Sequence, residues 1–394
     1  MMAAISAARR GANVVIIDHM DRIGKKILST GNGKCNYTNR KQGLRYYRGE
    51  NPAFVLSAFE QFGFEETVAF FQEIGIYPKE KNGYFYPASE QAAAVLDVLR
   101  LELNRLQVHI VTECEIKAVQ KTKKGFRIET NQSTFYGDCC IFACGGKAFP
   151  KSGSDGSAYP YIEKLGHTFI DVVPALVQMK AKQSFFKSIA GIRSDILVQL
   201  YVNGVKVCED RGEVQLTELG ISGIPSFQVS RYAAKALCER QSVTAVLDFV
   251  PYLSKDELYQ EFERRFLGEQ TVKTCEEALL GLFQKKLIPV FLKETQISLH
   301  EPAGNVSKKK LAKLAELCKH MVIDIIETKG FDSAQVSAGG VNTAEIDADT
   351  MESLLVPGIY FAGEVLDIDG MCGGYNLQWA WSSGYVAGMH AAQE

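Results

Sequence analysis

The sequence holds no C-x-x-C pair, no H-E-x-x-H and no G-x-G-x-x-G anywhere in its 394 residues. Ten cysteines are scattered, and the adjacent Cys139 and Cys140 sit inside an apolar run. This spacing argues against a disulfide frame or zinc site and for buried thiols in a reducing cytoplasm. Six dispersed histidines give no metal-ligand spacing, so no metal is expected. No apolar stretch approaches the ~18 residues of a membrane span, and the N-terminus lacks a signal-peptide core. With 44 Lys and Arg against 46 Asp and Glu, the net charge of -2 offers no electrostatic case for nucleic acid as the main partner. There are no internal repeats, no low-complexity tracts and no catalytic triad, and no residue is assigned a catalytic role.

What is present reads as a soluble α/β protein of two or three domains. The opening MMAAISAARRGANVVIID gives a small-residue helix, Gly11 at its C-terminus, a buried parallel strand Val14–Ile17 and then Asp18. In a dinucleotide-binding βαβ unit these parts follow a first strand and a glycine turn. That strand and turn are not in this sequence, which is read here as a misplaced start or a fragment.

Amphipathic helices are expected over AFVLSAFEQFGFEETVAFFQEIG and over SEQAAAVLDVLRLELNRLQ, the latter capped by Ser89. Short strands follow at Val108–Thr112, Phe126–Thr130 and Thr134–Tyr136, then a buried one over Cys139–Ala143. From about Pro174 the pattern becomes β-rich, with a hairpin at Asn203-Gly204 and helices opening at Ser254 and after Ser307. The last sixty or so residues return to strand and helix. The expected organisation is a discontinuous domain, 1–173 with 336–394, interrupted by an inserted β-rich domain with a helical part at 174–335.

Chemistry concentrates where glycines and acids end strands. In GMCGGYNLQ, Gly373 and Gly374 let backbone approach a flat ligand, and the helix beyond presents unpaired N–H groups suited to a group that becomes anionic. Gly363-Glu364 and the ACGG at 143–146 end other strands at the edge where such sheets bind ligands. STGNGKCN at 29–36 offers a nest of N–H groups plus Lys34. Arg22, Lys25, Lys26, Lys34, Arg40 and Lys41 gather nearby, either as a solvated loop or beside an anion. Cys35 as a redox thiol is disfavoured because no partner cysteine stands at the right spacing. Trp379 and Trp381 are expected in the core.

The ordered blocks GKKILSTGNGKCNYTN, ACGGKAFPKSGSDG, TELGISGIP, VSAGGV and GIYFAGEVLDIDGMCGGYNLQWAWSSG resemble the YhiN/BaiN-like family of FAD-dependent oxidoreductases, the aminoacetone-oxidase-like flavoproteins, over essentially the whole chain. The resemblance implies a Rossmann-like FAD-binding domain of the two-dinucleotide-binding type, interrupted by a β-barrel-like and helical insert. It implies Asp18 on the adenosine ribose, and Gly31 to Asn36 with Gly373 to Leu377 facing the flavin. Gly363 and Glu364 would then sit by the ribityl-phosphate. The full candidate FAD set is Asp18, Lys25, Lys26, Ser29, Thr30, Gly31, Asn32, Gly33, Lys34, Cys35, Asn36, Ala143, Cys144, Gly145, Gly146, Gly363, Glu364, Gly373, Gly374, Tyr375, Asn376 and Leu377. The family pattern differs around Glu218-Leu219 and Gly223-Ile224-Pro225, where the substrate pocket is expected to diverge.

The expected function is hydride transfer between NADH or NADPH and a small organic substrate through FAD, such as an enone of a bile-acid-like steroid or an amine. The rival from another class is a flavin-less remnant or binding protein on the same fold. A tRNA-modifying flavoenzyme is disfavoured by the near-neutral charge.

Overall fold

The computed structural model describes residues 1–268 and 272–393. The chain divides into two compact units, one of Met1–Pro174 with Phe331–Glu394 and one of Ala175–Gly330.

In the first unit α1 (Met2–Arg9) ends at Arg10, and Gly11 follows in the left-handed conformation with φ +91°. The buried residues of α1, Met2, Ala3, Ala4, Ile5, Ser6 and Ala7, are mostly small, and the helix packs on the last one; a Cβ on Gly388 of that helix would lie 2.1 Å from the Ala3 carbonyl oxygen. β1 (Val15–Ile17) is parallel to a later strand, as its apolar run predicts, yet it is not fully buried: Val15 is 42% exposed. The reason is pairing on one edge only among the described residues.

Next come α2 (Lys25–Ser29), β2 (Thr38–Asn39) and β3 (Tyr47–Arg48). The first expected amphipathic helix is two, α3 (Val55–Gln61) and α4 (Phe64–Glu73), broken at Gly63, whose backbone N–H takes the Glu66 carboxylate in a capping arrangement. A hairpin of β4 (Pro78–Lys81) and β5 (Tyr84–Pro87) precedes α5 (Ala92–Arg105). α5 starts three residues after Ser89 with no side-chain cap, because left-handed Glu90 turns the chain before the helix begins. β6 (His109–Val111) is the partner of β1, and β7 (Ile116–Thr122), β8 (Gly125–Thr130) and β9 (Thr134–Gly137) form a meander. β10 (Cys140–Phe142), α6 (Tyr159–Lys164) and β11 (Phe169–Ala175) complete this stretch.

The second unit is a closed barrel of β12 (Met179–Ala181), β13 (Arg193–Val202), β14 (Val205–Thr217), β15 (Gly220–Gly223), β16 (Val243–Asp248) and β17 (Met321–Thr328). β13 and β14 turn at Asn203-Gly204, both left-handed, as a two-residue hairpin requires. A short helix, α7 (Phe186–Ile189), and α8 (Ile224–Cys238) lie between barrel strands; α9 (Lys255–Leu267), α10 (Cys275–Leu279), α11 (Ile288–Glu294) and α12 (Lys308–Lys319) follow β16. α9 opens with the reciprocal Ser254–Glu257 cap, and Ser307 caps α12. Ile196, Val198, Leu200, Val214 and Leu216 fill the barrel, so it is a packed core rather than a channel.

The chain then resumes the first unit with β18 (Val336–Val341), paired with β11, and β19 (Ile359–Phe361), parallel to β10. β20 (Asp369–Gly370) pairs with β3. α13 (Tyr375–Ala391) closes the unit, with Trp379 and Trp381 buried. No described helix is long and apolar enough to cross a membrane.

Candidate functional site

Two clusters of the sequence-selected residues form within the first unit. The first is charged. Lys26 Nζ lies 2.5 Å from Glu364 Oε2 and donates to Ser154 Oγ at 3.3 Å. Glu364 Oε1 accepts the Ser337 N–H at 2.7 Å, and Ser337 Oγ accepts the N–H groups of Lys147 and Ala148 at 2.8 and 3.0 Å. Four segments distant in sequence are thus tied at one point. Gly146 is required there because a Cβ would stand 2.6 Å from Ser337 Oγ and 2.9 Å from Glu364 Oε1. Glu364 itself lies on a short 3-10 turn just past β19 rather than on the strand. Ala143 is exposed at the end of β10, and burial pushes the adjoining Cys144 thiol up to about 12. Gly145 beside it is left-handed, and Gly363 donates its N–H to Ser383 Oγ at 2.8 Å.

The second cluster joins the 29–36 segment to the start of α13. Ser29 and Thr30 hydroxyls turn back to the carbonyls of Lys26 and Ile27, and Gly31, Asn32 and Gly33 are left-handed in succession. That conformation turns backbone N–H groups in a common direction. Cys35 is fully buried, and burial pushes its thiol up to about 12, leaving it a neutral packing group. Asn36 is 8% exposed and its Oδ1 has no hydrogen-bond partner. Gly374, at φ +92°, places its Cβ position 3.0 Å from that oxygen and 2.8 Å from the Thr38 carbonyl. The close approach that Gly374 permits is therefore to the chain itself. Asn39 Nδ2 donates to the Gly373 carbonyl at 2.9 Å, and Thr38 and Gln378 are hydrogen-bonded side chain to side chain. α13 has no side-chain cap, so its first-turn N–H groups lack helical acceptors. Tyr375 is buried, and the Asn376 amide braces the backbone of Gly370 at 2.8 Å in both directions. Leu377 packs on the core beside Trp381.

Other selected residues are not drawn into either cluster. Lys25 pairs with Asp21, and Lys34 pairs with Glu90 at 2.8 Å. Arg40 likewise pairs with Glu80 at 2.7 Å, so much of the basic run is balanced at the surface. Asp18 follows β1 and accepts the Met20 N–H on Oδ1 at 2.8 Å; Met20 packs on Gly153, next to the Ser154 of the charged cluster.

Sequence reasoning missed Ser337, Ser154 and the Thr38–Gln378 pair; the VSAGG block was visible, but not the hydroxyl's two bonds. It also missed a Ser353–His167–Glu345 row, with Ser353 Oγ 2.9 Å from Nε2 and Glu345 Oε2 3.1 Å from Nδ1. Ser353 Oγ already accepts the Leu355 and Val356 N–H groups, and both Ser353 and His167 are buried, so the row braces a turn instead of presenting a nucleophile. Among the described residues no group of His, Cys, Asp and Glu could hold a metal ion.

A flavin fits this donor set. A buried, unpaired carbonyl oxygen at Asn36 can take a ring N–H, and the uncapped start of α13 can face a ring edge that gains negative charge.

A family model for the HI0933-like protein Rossmann domain matches residues 1–390. A 3-dehydro-bile acid delta(4,6)-reductase of Clostridium scindens is 45% identical over 395 residues, covering 100% of this chain and 96% of the relative. A ribosomal RNA dihydrouridine synthase of Haemophilus influenzae is 29% identical over 403 residues, covering 100% of this chain and 96% of the relative. Among solved structures, a 3-ketosteroid-delta4-(5alpha)-dehydrogenase of Rhodococcus jostii in complex with 4-androstene-3,17-dione superposes with a TM-score of 0.46 at 14% identity, covering 100% of this chain and 94% of the other.

Proposed function

The chain belongs to the HI0933-like family of Rossmann-domain proteins, and on that premise we propose that it is an FAD-dependent oxidoreductase that saturates a carbon–carbon double bond conjugated to a carbonyl group. The reductant in this reading is NADH or NADPH, and the substrate is a small enone of the steroid class. Ten cysteines that form no disulfide suit a reducing compartment such as the cytoplasm.

The observation that carries the reading is the juxtaposition of the partnerless Asn36 Oδ1 with the uncapped start of α13 across Gly374. When bound, FAD supplies hydride to the substrate carbon. Asn36 would accept the ring N–H between the two flavin carbonyls, fixing the ring's orientation. The first-turn N–H groups of α13 would favour the ring state that carries negative charge. Asp18 would hold the adenosine ribose with the carboxylate oxygen that Met20 does not use. Lys26 and Glu364, through Ser337, would keep the strand ends beneath the dinucleotide in register.

A second reading draws on the dihydrouridine synthases. Uracil, like a 3-oxo-4-ene steroid, carries a double bond conjugated to a carbonyl, so the reductase and the dihydrouridine synthase saturate the same kind of bond. The net charge of -2 favours the small substrate over a ribosomal RNA.

The test is anaerobic. Protein loaded with FAD is bleached with NADH or NADPH, then mixed with 4-androstene-3,17-dione or with a uridine-containing ribosomal RNA fragment. Return of the flavin band with one equivalent of the steroid enone is expected. A flavin that stays reduced with every conjugated carbonyl overturns the reading, and reoxidation by RNA alone selects the second one.

A further inference from the structure

Two phenols, Tyr84 and Tyr375, line Gly373, and a third, Tyr46, stacks on Tyr375. The Tyr46 ring stacks on Tyr375 with centroids 4.4 Å apart and planes 9° apart. Tyr84, on β5, would meet a Cβ at Gly373 within 3.0 Å. Tyr46 is anchored to the same glycine loop by its backbone, its carbonyl accepting the Met371 N–H at 2.9 Å.

The hydrogen bond at Tyr46 is directional. Arg45 Nη2 donates to the Tyr46 hydroxyl oxygen at 2.6 Å, and the guanidinium stands 4.7 Å from the ring centroid. Tyr375, whose phenol burial holds well above the ordinary tyrosine range, lies stacked on Tyr46 and stays protonated. The Arg45 donor occupies a lone pair of the Tyr46 oxygen and leaves the Tyr46 O–H proton to give. Tyr46 is half-buried and Arg45 exposed, which leaves the pair a path to solvent.

Resting on the flavoenzyme reading, we propose that Tyr46 is the proton donor that completes reduction of the conjugated double bond. Hydride, supplied by reduced flavin, forms the new C–H bond at the β-carbon, and the electron pair of the double bond moves toward the carbonyl as an enolate. The α-carbon then takes the Tyr46 proton: the phenol O–H breaks and a second C–H forms. The negative charge left on the Tyr46 oxygen is held by the Arg45 guanidinium, and water returns the proton from the exposed side. Other acidic groups nearby are worse placed. Cys35 is sealed in the core, and Lys26 and Lys34 are committed to carboxylates. The half-buried Cys372, in the same loop, is the rival donor.

The test compares wild type, Tyr46→Phe and Cys372→Ser as full chains loaded with FAD. Tyr46→Phe should keep its flavin content and its bleaching by NADH or NADPH within about twofold, while single-turnover reoxidation by 4-androstene-3,17-dione slows about 100-fold or more, the usual span of a lost general acid. Cys372→Ser should reoxidise normally. A second readout needs no turnover: oxidised wild type should bind 4-nitrophenolate, an enolate mimic that accepts the Tyr46 proton in a hydrogen bond, about tenfold tighter than Tyr46→Phe by absorbance titration. Unchanged reoxidation, equal nitrophenolate affinity, a loss confined to Cys372→Ser, or flavin falling away in Tyr46→Phe each overturns the proposal. Should wild type ignore every enone, the functional reading fails and the assignment with it; should wild type reduce the enone and Tyr46→Phe reduce it equally, only the assignment fails.

Discussion

The two clusters of the first unit are built from similar short glycine-rich motifs and end up as opposites. Around Glu364 the charges and hydroxyls are consumed within the chain: Lys26, Ser154, Ser337 and the Lys147 and Ala148 N–H groups close on one another. Around Asn36 a buried oxygen is left without a partner, three residues in a row are left-handed, and a 17-residue helix starts uncapped. A buried polar atom without a partner costs about 1–3 kcal/mol, so a fold tolerates it where something else repays the cost. The difference separates roles: the closed cluster holds segments in place, and the open one receives.

The comparison can be broken hardest at Gly374. From the sequence, a valine there should collide with the flavin ring and spare the fold. The structure places the Thr38 carbonyl 2.8 Å from the new Cβ, at φ +92°. The left-handed backbone alone costs about 1–2 kcal/mol and the overlap about 1–3 more. Gly374→Val should therefore melt well below wild type even without flavin; an unchanged melting curve would return the glycine to a purely ligand-facing role.

A smaller effect is expected in the closed cluster. Glu364→Ala strands the Lys26 charge and the Ser337 N–H, but both acid and lysine keep some solvent access, with side chains 17% and 28% exposed. A loss of about 2 kcal/mol in urea unfolding is expected, below the range for a sealed ion pair. A stability equal to wild type would mean that the network does not brace the strand ends.

Local chemistry made much of this legible. The Asn203-Gly204 turn, the Ser254 cap and Gly11 each follow from one or two adjacent residues, and all three occur as expected. Non-local geometry did not show. Gly63 splits a periodic apolar run through a cap that only the fold completes, and β1 reads as buried because its composition is apolar while its exposure depends on which edges are paired. Ser337 joins Glu364 through a backbone N–H, and Tyr46 meets Tyr375 through ring stacking, across 27 and 329 residues of sequence. Neither Ser337 nor Tyr46 is itself a glycine or an acid, and no spacing marks either. The basic run at 22–41, which its sequence reads as a solvated loop or an anion site, has Lys25, Lys34 and Arg40 each on a carboxylate.

Asn36 tests the central claim most directly, because its two states should respond differently. FAD is titrated into wild type and Asn36→Leu by flavin fluorescence, and both are melted without flavin. Removing an unpaired buried oxygen should leave the flavin-free melting temperature unchanged or raised, while FAD affinity falls about tenfold or more for one lost hydrogen bond in a buried site. Equal FAD affinity in the two proteins, or a melting temperature that drops in the absence of flavin, would contradict the account of the open cluster as the place where the ring is held.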